Sequence, residues 1–152
     1  MSGRLVDIYP YTLCGNDIKF LVFRRSYNVM YANQWRMIGG KVKKGEHRKD
    51  AALRELLEET GCVPSAFWIV PGINQFYESS TDTIHHIAAF AACLNYHDTI
   101  RLNHEHISYE WITKQNVKKF IKWPEQVRLL YLIHDILTES SVLPEWRISL
   151  EN

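Results

Sequence analysis

The sequence predicts an α+β fold, a mixed β-sheet with helices packed on its faces. Three observations lead there. Apolar and aromatic runs bounded by turn residues come before and after one uninterrupted helical stretch, and a second helical stretch follows near the end. That order is not a regular strand–helix–strand repeat, so an all-parallel sheet is not expected. The 152 residues are 46% apolar and 23% charged, the balance of a chain that fills one core, and the length is that of a single domain, 1–152.

Leu5 to Leu13 reads as a strand with its alternation broken by Pro10, and Ile18 to Arg24 as a second. Gly15-Asn16-Asp17 between them is a turn signal, which makes the two a hairpin. Arg24 and Arg25 at its end suit solvated strand-end charges and bidentate contact with phosphate oxygens equally. Tyr31 to Ile38 leads into Gly39-Gly40, where missing side chains let a ligand approach the backbone. Trp35 is core, pocket wall or a platform for a nucleobase. Lys41, Lys43 and Lys44 are loop charges, of which Lys41 is the candidate phosphate contact.

A helix is expected over the second half of Gly40–Cys62. Ala51, Ala52, Leu53, Leu56 and Leu57 favour it, no Gly or Pro interrupts it, and Gly61 is a natural C-cap. Leu53, Leu56 and Leu57 share one face and should pack on the core; Glu55, Glu58 and Glu59, at i, i+3, i+4, share the opposite one. After Pro64, Phe67–Val70 and Ile73–Tyr77 read as strands across a Pro71-Gly72 bend, and Glu78–Asp82 as an exposed turn. Ile84–Leu94 suits a buried central strand, although its length also allows a helix. Asn95–His106 is a loop, Ile107–Ile112 a strand and Thr113–Phe120 a short helix. Pro124 opens a last helix to about Leu137, with Val127, Leu130, Tyr131, His134 and Leu137 as its core-facing stripe. The tail, 138–152, docks on the body or on a second subunit.

A net charge of +1 provides no field for nucleic acid or a membrane surface. Cys14, Cys62 and Cys93 are odd in number and scattered, which is no disulfide framework. No apolar run approaches about 18 residues, and the first residues do not read as a signal peptide. The expectation is a cytoplasmic monomer or homodimer. His85, His86, His97, His104, His106 and Cys93 lack the paired close spacings of a zinc site.

Three carboxylates on one helix face repel one another by roughly 0.2–0.5 kcal/mol per pair. In the plainest reading they form a solvated acidic face, with Arg54 reaching Glu58 one turn on. A hard divalent ion, Mg²⁺ or Mn²⁺ in its place, offsets the repulsion better and keeps positions for water or phosphate. The full spacing favours the ion. It runs Gly40, five residues, Glu46, seven residues, Arg54-Glu55, an aliphatic, any residue, Glu58-Glu59, any residue, Gly61. At about 7% usage each, those identities match by chance on the order of 10⁻⁸ per start position.

This pattern is the Nudix box, and over Gly40–Cys62 the chain resembles the Nudix hydrolase superfamily. Cys62 departs from the usual aliphatic residue but behaves as a small hydrophobe when buried. The resemblance implies the Nudix fold, an α/β/α sandwich around a mixed sheet, and hydrolysis of a nucleoside diphosphate linked to another moiety. It implies metal binding by Glu55, Glu58, Glu59 and the backbone carbonyl of Gly39, with Glu55 or Glu58 also a candidate for taking a proton from water. Glu46, Arg54, Gly40 and Gly61 would hold loop and helix in place, Arg54 orienting a catalytic glutamate. A further acid outside the box is expected, Glu105 ahead of Glu78 and Asp82. Substrate contacts fall to Arg24, Arg25, Trp35 and Lys41. Trp-Arg-Met-Ile-Gly-Gly before the box and His-Glu-His-Ile-Ser-Tyr-Glu-Trp after it are similar to the dATP and dihydroneopterin triphosphate pyrophosphohydrolases. That implies release of a monophosphate and pyrophosphate. Dinucleoside polyphosphates, ADP-ribose and nucleotide sugars are the alternative substrates, and a nucleotide-sensing module without turnover is the alternative of another class.

Overall fold

A computed structural model of the protein describes residues 4–150. Strands β1 (Leu5–Cys14) and β2 (Asp17–Arg25) form the expected hairpin, with Gly15 at φ 60° in its two-residue turn. They pair only near that turn, Tyr11–Cys14 with Asp17–Phe20, and then part. Residues 35–41 run into the gap: β3 (Trp35–Arg36) pairs with β2 and β4 (Ile38–Lys41) pairs with β1. This splay opens the sheet at one end.

β6 (Thr83–Cys93) is an interior strand next to the middle strand β1, parallel to β1 and antiparallel to β5 (Ala66–Glu78). β7 (His106–Ile112) pairs with β2. The sheet is therefore mixed. β5 is one strand where two were expected. Pro71-Gly72 falls within an irregularity between Ile69 and Ile73, where a residue without an N–H interrupts little pairing.

Two apolar layers sandwich the sheet. Val6, Ile8, Phe23 and Phe90 pack with α1 (Arg48–Thr60) on one face. Tyr9, Phe20, Trp68 and Ala91 pack with α2 (Val117–Phe120) and α3 (Pro124–Glu139) on the other. Each fully buried large side chain, Leu56 or Leu129 for example, contributes about 1.5–3 kcal/mol. A 3-10 turn, Lys114–Asn116, leads into α2.

Both long helices sit rotated from the expected faces. In α1 the buried set is Ala51, Ala52, Leu56, Glu59 and Thr60, while Leu57 is 51% exposed. The small alanines let the helix lie close to the sheet, and that turns Glu59 inward, off the solvent face. Gly61, at φ 74°, caps the helix by donating its N–H to the Leu57 carbonyl at 2.8 Å. In α3 the buried face is Gln126, Leu129, Leu130, Ile133 and Ile136, so Val127, Tyr131 and His134 flank the seam. The tail, as far as residue 150, returns to the body: the Ile148 N–H donates to the Phe67 carbonyl at 2.9 Å, covering part of the β5 edge. Among the described residues no helix is long and apolar enough to cross a membrane.

Candidate active site

The splay between β1 and β2 leaves a cleft of about 660 Å³. Gly39, Gly40 and Lys41 of β4 form its lip. Glu55 belongs to α1, on the other face of the sheet, and reaches the cleft because Gly40 has no side chain. A Cβ on Gly40 would stand 2.3 Å from both Cγ and Cδ of Glu55. At Gly39 a Cβ would meet nothing closer than the Asp7 Oδ1 at 3.5 Å.

Arg54 ties the box together. Its Nε and Nη2 donate to the two Glu46 oxygens at 2.9 and 3.0 Å, and Nη2 also donates to the Lys41 carbonyl at 2.9 Å. Its Nη1 donates to Glu55 Oε1 at 2.9 Å and lies 3.4 Å from Glu58 Oε2. Glu46 accepts the Lys43 N–H at 2.9 Å as well. These bonds, Arg54 first, hold the Glu46 carboxyl down at about 2. Glu55 moves the other way: burial raises its pKa more than Arg54 lowers it. Glu58 is exposed and does not line the cleft.

Glu59 has no exposed surface and does not line the cleft. Its Oε1 is 3.3 Å from His106 Nδ1, but the approach is misaligned, and neither carboxylate oxygen has a hydrogen-bond partner. Burial, with Glu105 and Glu55 nearby, pushes its pKa up to about 10. Burial and then Arg25 lower His106 to about 4, so that imidazole is neutral. Glu105 stands on the cleft wall, 4.0 Å from Arg25 Nη1. Its loop is fixed to the sheet by Ser26, whose N–H donates to the Glu105 carbonyl at 2.9 Å and whose hydroxyl donates to the His104 carbonyl at 2.7 Å.

An orphaned, buried carboxylate is costly by itself and is a donor that a hard divalent cation satisfies. As placed, no three His, Cys, Asp or Glu side chains among the described residues form a ready cluster, and Arg54 engages Glu55 and Glu58. Glu59 is left unpaired between Glu55 and Glu105. This donor set fits Mg²⁺.

The far wall of the cleft is polar in a way the sequence reading missed. Asp7, Asn74 and Gln126 come from β1, β5 and α3 and are all buried. Asn74 Nδ2 donates to Asp7 Oδ2 at 2.8 Å and the Tyr9 hydroxyl donates to it at 3.3 Å. Gln126 Oε1 accepts the Met37 N–H at 3.2 Å. Burial, above the opposing hydrogen bonds, raises the Asp7 pKa. Arg36 lies over Tyr31 at 4.1 Å and over Trp123 at 5.0 Å.

Two expected substrate contacts are elsewhere. Arg24 Nε donates to Asn33 Oδ1 at 2.6 Å and does not line the cleft, whereas Arg25 does. A register shift against β7 falls between these two residues and re-aims them. Trp35 packs edge-on against Phe120 at 5.0 Å, in the core beside α2; its neighbour Arg36 lines the cleft instead. Lys41 is at the lip. Asp82 hydrogen-bonds the Tyr77 hydroxyl away from the cleft, and Glu78 lines it.

A sequence profile described as the NUDIX domain matches residues 6–132. The mouse asymmetrical bis(5'-nucleosyl)-tetraphosphatase is 29% identical over 126 residues, covering 80% of this chain and 82% of its own. The C. elegans Ap4A hydrolase in its binary complex has the same fold, with a TM-score of 0.75 at 23% identity over 91% of this chain and 99% of that one. So does the E. coli dihydroneopterin triphosphate pyrophosphohydrolase, with a TM-score of 0.71 at 18% identity over 86% and 95% of the two chains.

Proposed function

The chain belongs to the Nudix family and is a pyrophosphohydrolase, a hydrolase of acid anhydrides, and from that premise we propose that it cuts the phosphate bridge of a dinucleoside polyphosphate off-centre. The observation that carries this reading is the 29% identity to an asymmetrical bis(5'-nucleosyl)-tetraphosphatase over four fifths of the chain. It favours the alternative substrate of the sequence reading over the dATP and dihydroneopterin triphosphate branch. The cleft is compatible: it is large and open, with Arg25, Arg36 and Lys41 for phosphates and Tyr31 for a base. An off-centre cut through four phosphates leaves a nucleoside monophosphate and a nucleoside triphosphate.

Mg²⁺ held by Glu55, Glu58, Glu59 and the Gly39 carbonyl would neutralise bridge charge and acidify water. Arg54 acts as a positioning residue, fixing Glu55 against the lip and tying α1 to the loop through Glu46. Glu105 takes the proton from water as it attacks phosphorus in line, while Arg25 restrains its carboxylate. Arg25, Arg36 and Lys41 hold the bridge. In Glu105→Gln, kcat is expected to fall by roughly 10²–10⁴-fold with Mg²⁺ affinity largely kept. A loss below tenfold would place Glu105 outside the chemistry.

The test of the substrate is a panel with Mg²⁺: diadenosine tetraphosphate, dATP, a pterin triphosphate, ADP-ribose and a nucleotide sugar. The expected order has diadenosine tetraphosphate first in kcat/KM. A preference for dATP or the pterin would restore the triphosphate reading. Binding without turnover anywhere in the panel would overturn hydrolysis altogether.

A further inference from the structure

β5 and β6 carry a pair that the box chemistry leaves unused. His85 Nε2 lies 2.9 Å from Glu78 Oε1. The imidazole stacks on Phe76, its register partner, at 4.8 Å, and Phe76 meets Trp123 edge-on at 5.0 Å. The Thr81 hydroxyl donates to the same Glu78 oxygen at 2.9 Å. The ring is therefore fixed in position and orientation, with one nitrogen committed to Glu78. Both residues line the main cleft. His85 also lines a small adjoining cavity of about 190 Å³ whose wall includes Arg4, Arg48 and His86.

We propose that His85, clamped by Glu78, binds the distal phosphates of the bridge, those that leave with the larger product. The proposal rests on the polyphosphate reading above and deepens it. Gly40, over which Glu55 lies, is the register partner of Val6, and Val6 of Ala88. Two strand spacings and three residues along β6 put His85 about 14 Å from Gly40 between Cα atoms. Side chains reaching inward shorten that span. A bridge of four phosphates held at Glu55 reaches further toward His85 than a bridge of two. With Nε2 committed to Glu78, Nδ1 is the ring nitrogen left for the bridge, and a ring that carries a proton there presents Nδ1–H as a donor to a phosphate oxygen. Arg4 and Arg48 beyond it supply the positive surroundings that the Glu78 carboxylate subtracts. Phe76 at its back leaves the ring no freedom to follow a misplaced anion.

The test has one arm that does not depend on turnover. Inorganic tripolyphosphate titrated into the full chain is expected to move the His85 ring nitrogen resonances. Its affinity should fall about tenfold in His85→Gln, the size of one charge-assisted hydrogen bond, and fall also in Glu78→Gln. Adenosine should leave the His85 resonances in place. Unchanged tripolyphosphate affinity in both variants, or a response to adenosine alone, would overturn the proposal. In the kinetic arm, His85→Gln raises KM for diadenosine tetraphosphate about tenfold, with kcat nearly kept, and leaves ADP-ribose unaffected. Equal losses on both substrates would mean a structural role and would also overturn it. If the parent cleaves no dinucleoside polyphosphate, the substrate reading fails, and the tripolyphosphate titration still decides what His85 binds.

Discussion

Glu59→Gln is expected to remove Mg²⁺-dependent turnover while leaving the metal-free protein as stable as the parent or more so. Glu59 carries a carboxyl with no exposed surface and no hydrogen-bond partner on either oxygen. Such a group weakens the fold unless a cation answers it. Its loss should reduce activity by more than the roughly 10–100-fold that even an outer-shell partner of a metal costs. The stability effect has a definite pH signature. Glu59 titrates near 4.5 when unfolded and at about 10 in the metal-free fold. Across that window the folded chain holds a proton that the unfolded chain has released, so stability falls as pH rises. His106 acts oppositely: lowered to about 4, it removes stability as pH falls below 6.5. The two partly cancel between 4.5 and 6.5, so the Glu59 slope is read above 6.5. As a ligand of Mg²⁺, Glu59 would have to give up its proton. Thermal unfolding should therefore show Mg²⁺ stabilisation growing with pH in the parent and missing in Glu59→Gln. A variant that keeps both its Mg²⁺ shift and its activity would remove Glu59 from the metal site.

Gly40→Ala is the second large effect, and it is steric. The new Cβ would stand 2.3 Å from Glu55 Cγ and Cδ. The colliding atoms belong to a side chain, so the helix stays and the carboxylate moves. A displacement of about 1 Å at a reacting group is worth roughly 10²-fold in rate, and that is the expected loss in kcat/KM, with the unfolding temperature changed little. Gly39→Ala is the control. Its Cβ meets only ordinary contact, 3.5 Å from Asp7 Oδ1, and its backbone carbonyl survives. Activity retained in Gly39→Ala and lost in Gly40→Ala would assign the requirement to Glu55. Equal activity in both would mean that Glu55 tolerates displacement and is not a precise ligand.

The box was legible because its chemistry is local: Glu46, Arg54, Glu55 and Gly40 meet through one loop and one helix. The helix's rotation was not legible. Leu57 and Glu59 exchange the exposures their types suggest, because Ala51 and Ala52 decide which side approaches the sheet. The hairpin, the interior strand β6 and the Pro124 helix start follow from turn residues, apolar runs and a missing N–H. The far wall of the cleft has no such local signature. Asn74 and Asp7 are 67 positions apart and touch only because β6 lies between their strands. Asp7, an acid inside the apolar run of β1, was the one available sign. Arg24 and Trp35, offered as substrate contacts, lie outside the cleft for a similar reason, Trp35 in the core position that was its other reading. A shift in pairing against β7 turns Arg25 into the cleft, and Arg36 lines it in place of Trp35.

The most direct measurement is the product pair from diadenosine tetraphosphate with Mg²⁺, resolved by chromatography at early times. The expected result is AMP and ATP in equal amounts, abolished by chelator and by Glu59→Gln. Two equivalents of ADP, or an intact substrate alongside dATP cleaved to dAMP and pyrophosphate, would contradict an off-centre cut directed from the box acids.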